Sequence, residues 1–240
     1  MLINSEGIVL NHTRFSENDL IVRILTKKKG LISFLIKGGQ KNKKKKYLQP
    51  LMVINMSFNY SINKNIQYIK HLEFKAIPTK IITNHLKRNS VLFLCEVISR
   101  CIKEGIDEKH IYNFIETSLS WLNSDFCSGK NFDLWFLINF TKVLGVCPDY
   151  SKIQNISTYI FDSESGCFVL KNKDSLSNPW RLETSKMLYD FLCINIEDLE
   201  KISLSYNDSK ILMENVLKYY SIHVSNFNYK KLVSVYAELL

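Results

Sequence analysis

The sequence predicts an α+β chain, with a five-stranded, basic OB-fold β-barrel over residues 1–78 and a mainly helical domain with a small β-like insert over residues 79–240. Two observations carry this. The apolar residues recur at a period near two up to Phe74 and at spacings of three and four beyond Pro78. The net positive charge lies near the start of the chain, where residues 1–80 hold fifteen of the 32 Lys and Arg but only four of the 23 Asp and Glu.

The strands follow in order. Gly7-Ile8-Val9-Leu10 is a short β-like run, and Leu20 to Thr26 is a second, rich in β-branched residues. Lys27-Lys28-Lys29-Gly30 supplies a polar turn, and Leu31 to Ile36 returns as a third strand. After Lys37-Gly38-Gly39, residues 40–46 carry no apolar anchor and read as a mobile loop. Met52, Ile54, Met56, Phe58 and Tyr60 alternate with Val53, Asn55, Ser57 and Asn59 as a fourth strand, and Ile66, Tyr68, Leu72 and Phe74 outline a fifth. So few strands avoid exposed edges most readily by closing, which makes an OB-fold the natural candidate.

Beyond Pro78 the spacing predicts one long helix over 81–103, a second over 109–122 and a buried third over 132–144. The third has a marked end: Lys142 suits the C-terminal dipole, Gly145 can take the left-handed cap and Pro148 blocks continuation. Tyr159-Ile160-Phe161 and Cys167 to Leu170 flank Asp162 to Gly166 as a small hairpin. Residues 182–192 and 210–224 read as further helices.

With 46% apolar residues, eight Gly and four Pro in 240 residues, the chain can build a packed core and is not disordered. Its longest uninterrupted apolar run, Leu134 to Ile138, is far short of the ~18 residues of a membrane span. Its first residues lack the basic flank of a secretory signal. A soluble, cytoplasmic protein is expected. Cys95, Cys101, Cys127, Cys147, Cys167 and Cys193 contain no Cys-x-x-Cys pair and read as free thiols.

His12, His71, His85, His110 and His223 form no zincin spacing, and neither a nucleophile elbow nor a phosphate-binding loop can be written. Glu197-Asp198 and Asp107-Glu108 read as helix-start carboxylates. No enzyme is expected, and no cofactor.

A localised cationic excess is the footprint of a surface that meets phosphates. The expected DNA-binding residues are Arg14, Arg23, Lys27, Lys28, Lys29, Lys37, Lys41, Lys43, Lys44, Lys45 and Lys46. Phe34, Phe58, Tyr60 and Tyr68 lie on nearby strands and could stack bases, but period two does not say which face the core. The alternatives are a protein-interaction scaffold, with the lysines only solvating it, and an RNA-binding OB protein.

The segments Glu6 to Leu10, Phe15-Ser16-Glu17-Asn18-Asp19, Leu25 to Gly30, Lys37-Gly38 before a basic stretch and Leu48-Gln49-Pro50-Leu51 resemble the N-terminal domain of the RecO family. Phe136 to Asp149, Phe161 to Gly166 and Tyr219 to His223 resemble its helical C-terminal domain in the same order. The resemblance implies a recombination mediator that binds single- and double-stranded DNA and anneals complementary strands. With RecR, such a protein helps load RecA onto DNA coated by single-strand-binding protein. Many RecO proteins hold zinc through cysteines after the Gly-x-x-Pro-Asp motif; only Cys147 and Cys167 lie there in this chain, so no zinc is expected. Lys87, Arg88 and Arg100, beside apolar helix faces, are candidates for docking the acidic, apolar-ended tail of single-strand-binding protein.

Overall fold

The computed structural model describes residues 1–39, 47–104, 109–171 and 179–239. It contains two compact units, Met1–Asp125 and Phe126–Leu240. The expected loop over 40–46 and the Asp107-Glu108 pair lie outside the described residues.

The first unit opens with five strands, β1 (Leu2–Arg14), β2 (Leu20–Thr26), β3 (Gly30–Ile36), β4 (Val53–Asn59) and β5 (Ile66–Phe74). They close into a barrel in the order β1-β2-β3-β5-β4. All pairings are antiparallel except β3 with β5. The OB-type barrel is therefore present. Its core holds Val9, Val22, Ile24, Phe34, Ile54, Met56 and Phe58, among others.

β1 is much longer than the four-residue run expected, because it serves two partners. Leu2 to Ile8 pair with β4, and Gly7 to Arg14 pair with β2. Gly7 belongs to both ladders, and a Cβ there would come within 2.7 Å of Ile24 Cγ2, so only glycine lets the strand cross the barrel so tightly. A register shift between Val9 and Asn11 makes Leu10 the extra residue.

Three helices complete this unit: α1 (Thr79–Thr83), α2 (His85–Cys101) and α3 (Lys109–Leu122). The single long helix expected over 81–103 is thus two. Asn84 breaks it with extended dihedrals, and its side-chain oxygen accepts the Lys87 N–H at 3.2 Å as the N-cap of α2. α2 lies against β1, where Cys95 Sγ donates to the Leu10 carbonyl and Asn11 Nδ2 donates to Ser99 Oγ at 3.2 Å. Burial there pushes the Cys95 thiol up to about 12, so it stays protonated.

The second unit is built on α4 (Phe132–Val143), buried over most of its length as its sequence requires. Gly145 follows with φ +72°, the left-handed conformation expected of it. The hairpin of β6 (Tyr159–Asp162) and β7 (Cys167–Leu170) is the small β-insert. α5 (Leu182–Cys193) and α6 (Tyr206–His223) follow, the latter starting four residues earlier than expected because Ser205 caps it through the Asp208 N–H at 3.1 Å. Between them Glu197-Asp198 sit in the first turn of a 3-10 helix. α7 (Tyr229–Leu239) was not expected; its buried Leu232 and Tyr236 give too short a periodic signal. No helix among the described residues is long and apolar enough to cross a membrane.

Candidate nucleic-acid interface

The cations of the barrel divide between its two ends. β2 and β3 pair from Leu20 with Ile36 to Thr26 with Gly30. Lys27, Lys28 and Lys29 therefore sit at one end, and Lys37 at the other, about 20 Å away along a seven-residue strand. Arg14 pairs with Leu20, which pairs with Ile36, so Arg14 and the β3 exit flank the start of β2 on either side, about 10 Å apart.

At the end with Arg14, Gly38 N–H donates to Asp19 Oδ1 at 2.9 Å, and Arg14 Nε donates to the Ser16 carbonyl at 3.2 Å. The Asp19 carboxylate thus anchors the strand exit. Lys37 is exposed and has no ion-pair partner among the described residues. Lys41, Lys43, Lys44, Lys45 and Lys46 follow in the sequence and lie outside the described residues.

At the hairpin end the three lysines differ. Lys27 Nζ lies 2.7 Å from Glu6 Oε2 and 3.8 Å from Glu116 Oε2, while Lys75 Nζ bridges Glu6 Oε1 at 2.9 Å and Glu116 Oε1 at 2.6 Å. These four charges tie β1, the hairpin tip, the end of β5 and α3 together. Hydrogen bonds from Lys27 and then Lys75 hold the Glu6 carboxyl below its ordinary value, and Glu6 in turn raises Lys27. Lys28 is exposed without an ion pair among the described residues, and Lys29 Nζ lies 5.4 Å from the Tyr60 ring centre. Arg23 is also engaged internally, with Glu104 at 3.4 Å and the Ser99 carbonyl at 3.3 Å.

The four aromatics separate cleanly. Phe34 and Phe58 are 0% exposed and meet edge to face at 5.0 Å inside the barrel. Tyr60 packs partly buried against the same core. Tyr68 is 46% exposed on the outer face. The reason is a bulge: Phe58 pairs with Ile69 but Ser57 pairs with His71, which makes Lys70 the extra residue. Before the bulge Gln67 and Ile69 turn inward, after it Leu72 and Phe74 do, so Ile66 and Tyr68 do not share a face with Leu72.

The three helix cations are equally unlike one another. Lys87 is 4% exposed and its Nζ donates to the Ser124 carbonyl at 2.9 Å, a structural role. Arg100 pairs with Glu96 one turn earlier, Nε to Oε1 at 3.1 Å. Arg88 is exposed, donates from Nη1 to the Ile82 carbonyl at 2.8 Å, and lies on the wall of a cleft of about 410 Å³ whose apolar lining includes Leu51, Met52, Ile81, Ile82 and Leu92. The sequence could not distinguish these three, since burial of a lysine head depends on which carbonyl folds over it.

In the second unit, Cys147 Sγ faces the Pro148 carbonyl at 3.4 Å and Cys167 Sγ the Ser165 carbonyl at 3.3 Å. Among the described residues no three His, Cys, Asp or Glu gather as metal ligands.

Two family models match the chain. "Recombination protein O N terminal" matches residues 1–77, and "Recombination protein O C terminal" matches residues 86–232. The chain belongs to the recombination protein O family. As a RecO chain it is similar over its whole length to curated relatives called "DNA repair protein RecO". That of Azobacteroides pseudotrichonymphae is 27% identical over 241 residues, 98% of each chain. Those of Christiangramia forsetii and Flavobacterium johnsoniae are each 27% identical over 100% of this chain and 99% of theirs. The first RecO model ends within a residue of Pro78, where the apolar period changes.

Proposed function

We propose that this RecO chain is a DNA repair and recombination mediator that binds single- and double-stranded DNA and anneals complementary strands. The observation that carries the reading is the convergence of Arg14 and Lys37 on one barrel end, from which the chain runs into a segment with five lysines. Two strands repel through their phosphates. A cationic surface that holds both lowers the repulsion and raises their local concentration, with no covalent step. Lys28 and Lys29 extend the contact at the other end of the hairpin, whereas Lys27 and Arg23 act mainly within the fold.

In this reading the chain works with RecR to assist RecA loading on DNA coated by single-strand-binding protein. The cleft beside Arg88 supports a contact with the acidic, apolar-ended tail of that protein, because it offers an apolar floor and an exposed guanidinium at one place.

The test is fluorescence anisotropy of a labelled single-stranded oligonucleotide at several salt concentrations, followed by annealing of its complement. Binding that weakens steeply with salt, with faster annealing, is expected. Replacing Lys43, Lys44, Lys45 and Lys46 by Ala lowers the salt slope by up to about four contacts. Absence of binding at low salt would replace this reading with the protein-interaction scaffold.

A further inference from the structure

β3 and β5 pair only from Ser33 with Ile66 to Leu35 with Tyr68. β3 ends one residue later at Ile36, while β5 bulges at Lys70 and continues to Phe74. The two strands therefore part, and a cleft of about 170 Å³ opens between them, lined by Leu35, Ile36, Lys37, Tyr68, Ile69 and Leu72.

The register places Tyr68 at the centre of this outer face. Leu2 pairs with Asn59, Asn59 with Tyr68, and Tyr68 with Leu35, so these four residues form one row across four strands on the same side of the sheet. Leu2 and Tyr68 are both exposed. Lys37 lines the cleft and Lys70 follows Tyr68 by two residues; both are exposed, and neither has an ion pair among the described residues. An aromatic ring beside an apolar opening, with two uncommitted cations, matches a nucleotide: a planar apolar face carrying an anionic phosphate. A duplex offers phosphates but keeps its bases stacked on each other.

We infer that Tyr68 is a stacking platform for one unpaired base of single-stranded DNA, seated at the β3–β5 cleft with its flanking phosphates facing Lys37 and Lys70. The inference rests on the DNA-binding reading above and deepens it, since Tyr68 sets the preference for single over double strands. Phe34 and Phe58 are enclosed, and Tyr60 is packed on the core with Lys29 over its ring, so none of the three offers such a surface.

The experiment compares the full chain with Tyr68→Ala, Tyr68→Phe and Lys37→Ala, using a labelled oligothymidine and a labelled duplex of equal length, across a salt series. Tyr68→Ala weakens single-strand binding roughly fivefold to a hundredfold and leaves both the salt slope and duplex binding unchanged. Tyr68→Phe, which keeps the ring, binds like the unaltered chain. Lys37→Ala weakens both substrates and lowers the salt slope by about one. Single-strand binding by Tyr68→Ala equal to that of the unaltered chain, or an equal loss on both substrates, overturns the stacking role while DNA binding stands. An unaltered chain that binds neither substrate overturns the DNA-binding reading and this inference with it.

Discussion

Lys27 Nζ lies 2.7 Å from Glu6 Oε2, whereas the next residue, Lys28, is exposed without an ion pair among the described residues. Two adjacent lysines of one turn therefore have different work. The first helps to hold the hairpin tip against β1 and, through Glu116, against α3. The second is available to a partner.

Substitution separates the two. Lys27→Ala is expected to lower stability by about 0.5–1 kcal/mol, the range for a partly exposed, networked ion pair. Lys28→Ala is expected to change stability by less than about 0.5 kcal/mol and to lower the salt slope of DNA binding by about one. Urea denaturation and a salt series of anisotropy titrations measure both quantities. A larger slope change for Lys27→Ala than for Lys28→Ala would reverse the assignment.

The cluster of Glu6, Lys27, Lys75 and Glu116 makes stability depend on pH in a defined direction. Glu6 is held below its ordinary 4.5 in the folded chain, so its contribution is complete above 4.5 and is lost as pH falls through the lower folded value. Lys27, raised by Glu6, and Lys75, raised chiefly by Glu116, contribute fully below 10.5 and lose their contribution as pH rises through their folded values. The stability difference between the unaltered chain and Glu6→Gln should therefore be level between these limbs and shrink at both extremes. Urea midpoints across a pH series check it, and a difference that stays level well below 4.5 would show that Glu6 gains nothing from its partners.

Lys87 and Arg88 are neighbours in α2 with opposite surroundings. Lys87→Glu buries a carboxylate against the Ser124 carbonyl and is expected to destabilise by about 3 kcal/mol or more. Arg88→Glu, on an exposed cleft wall, loses the Nη1 hydrogen bond to the Ile82 carbonyl, should lower stability by about 0.5–1.5 kcal/mol, and should abolish binding of an acidic, apolar-ended peptide. Peptide anisotropy with both variants, each checked by thermal unfolding, tests this. Full peptide binding by Arg88→Glu would remove the cleft from the proposed contacts.

Much of this was legible in the residue order. Alternation in β2, β3 and β4 marked the barrel because a strand with one wet face must repeat every second residue. The bulge in β5 was not, since one inserted residue reverses the face without altering the composition of the run. The length of β1 was also hidden, because strand pairing with β4 needs no apolar signal when one side faces water. Asn84, a cap residue within an apolar spacing that looked continuous, broke the first helix in two.

By itself the sequence determined the period of each region, the change near Pro78 and the concentration of positive charge before it, because these are properties of order and composition. The tertiary structure alone decided which cations and aromatics are open to a partner. Lys27, Arg23 and Lys87 are engaged by groups 21, 81 and 37 residues away in the chain, Glu6, Glu104 and Ser124. Tyr68 faces outward because of a register set by β4. Partners this distant are brought together by closure of the barrel and packing of its helices, and no local pattern encodes them.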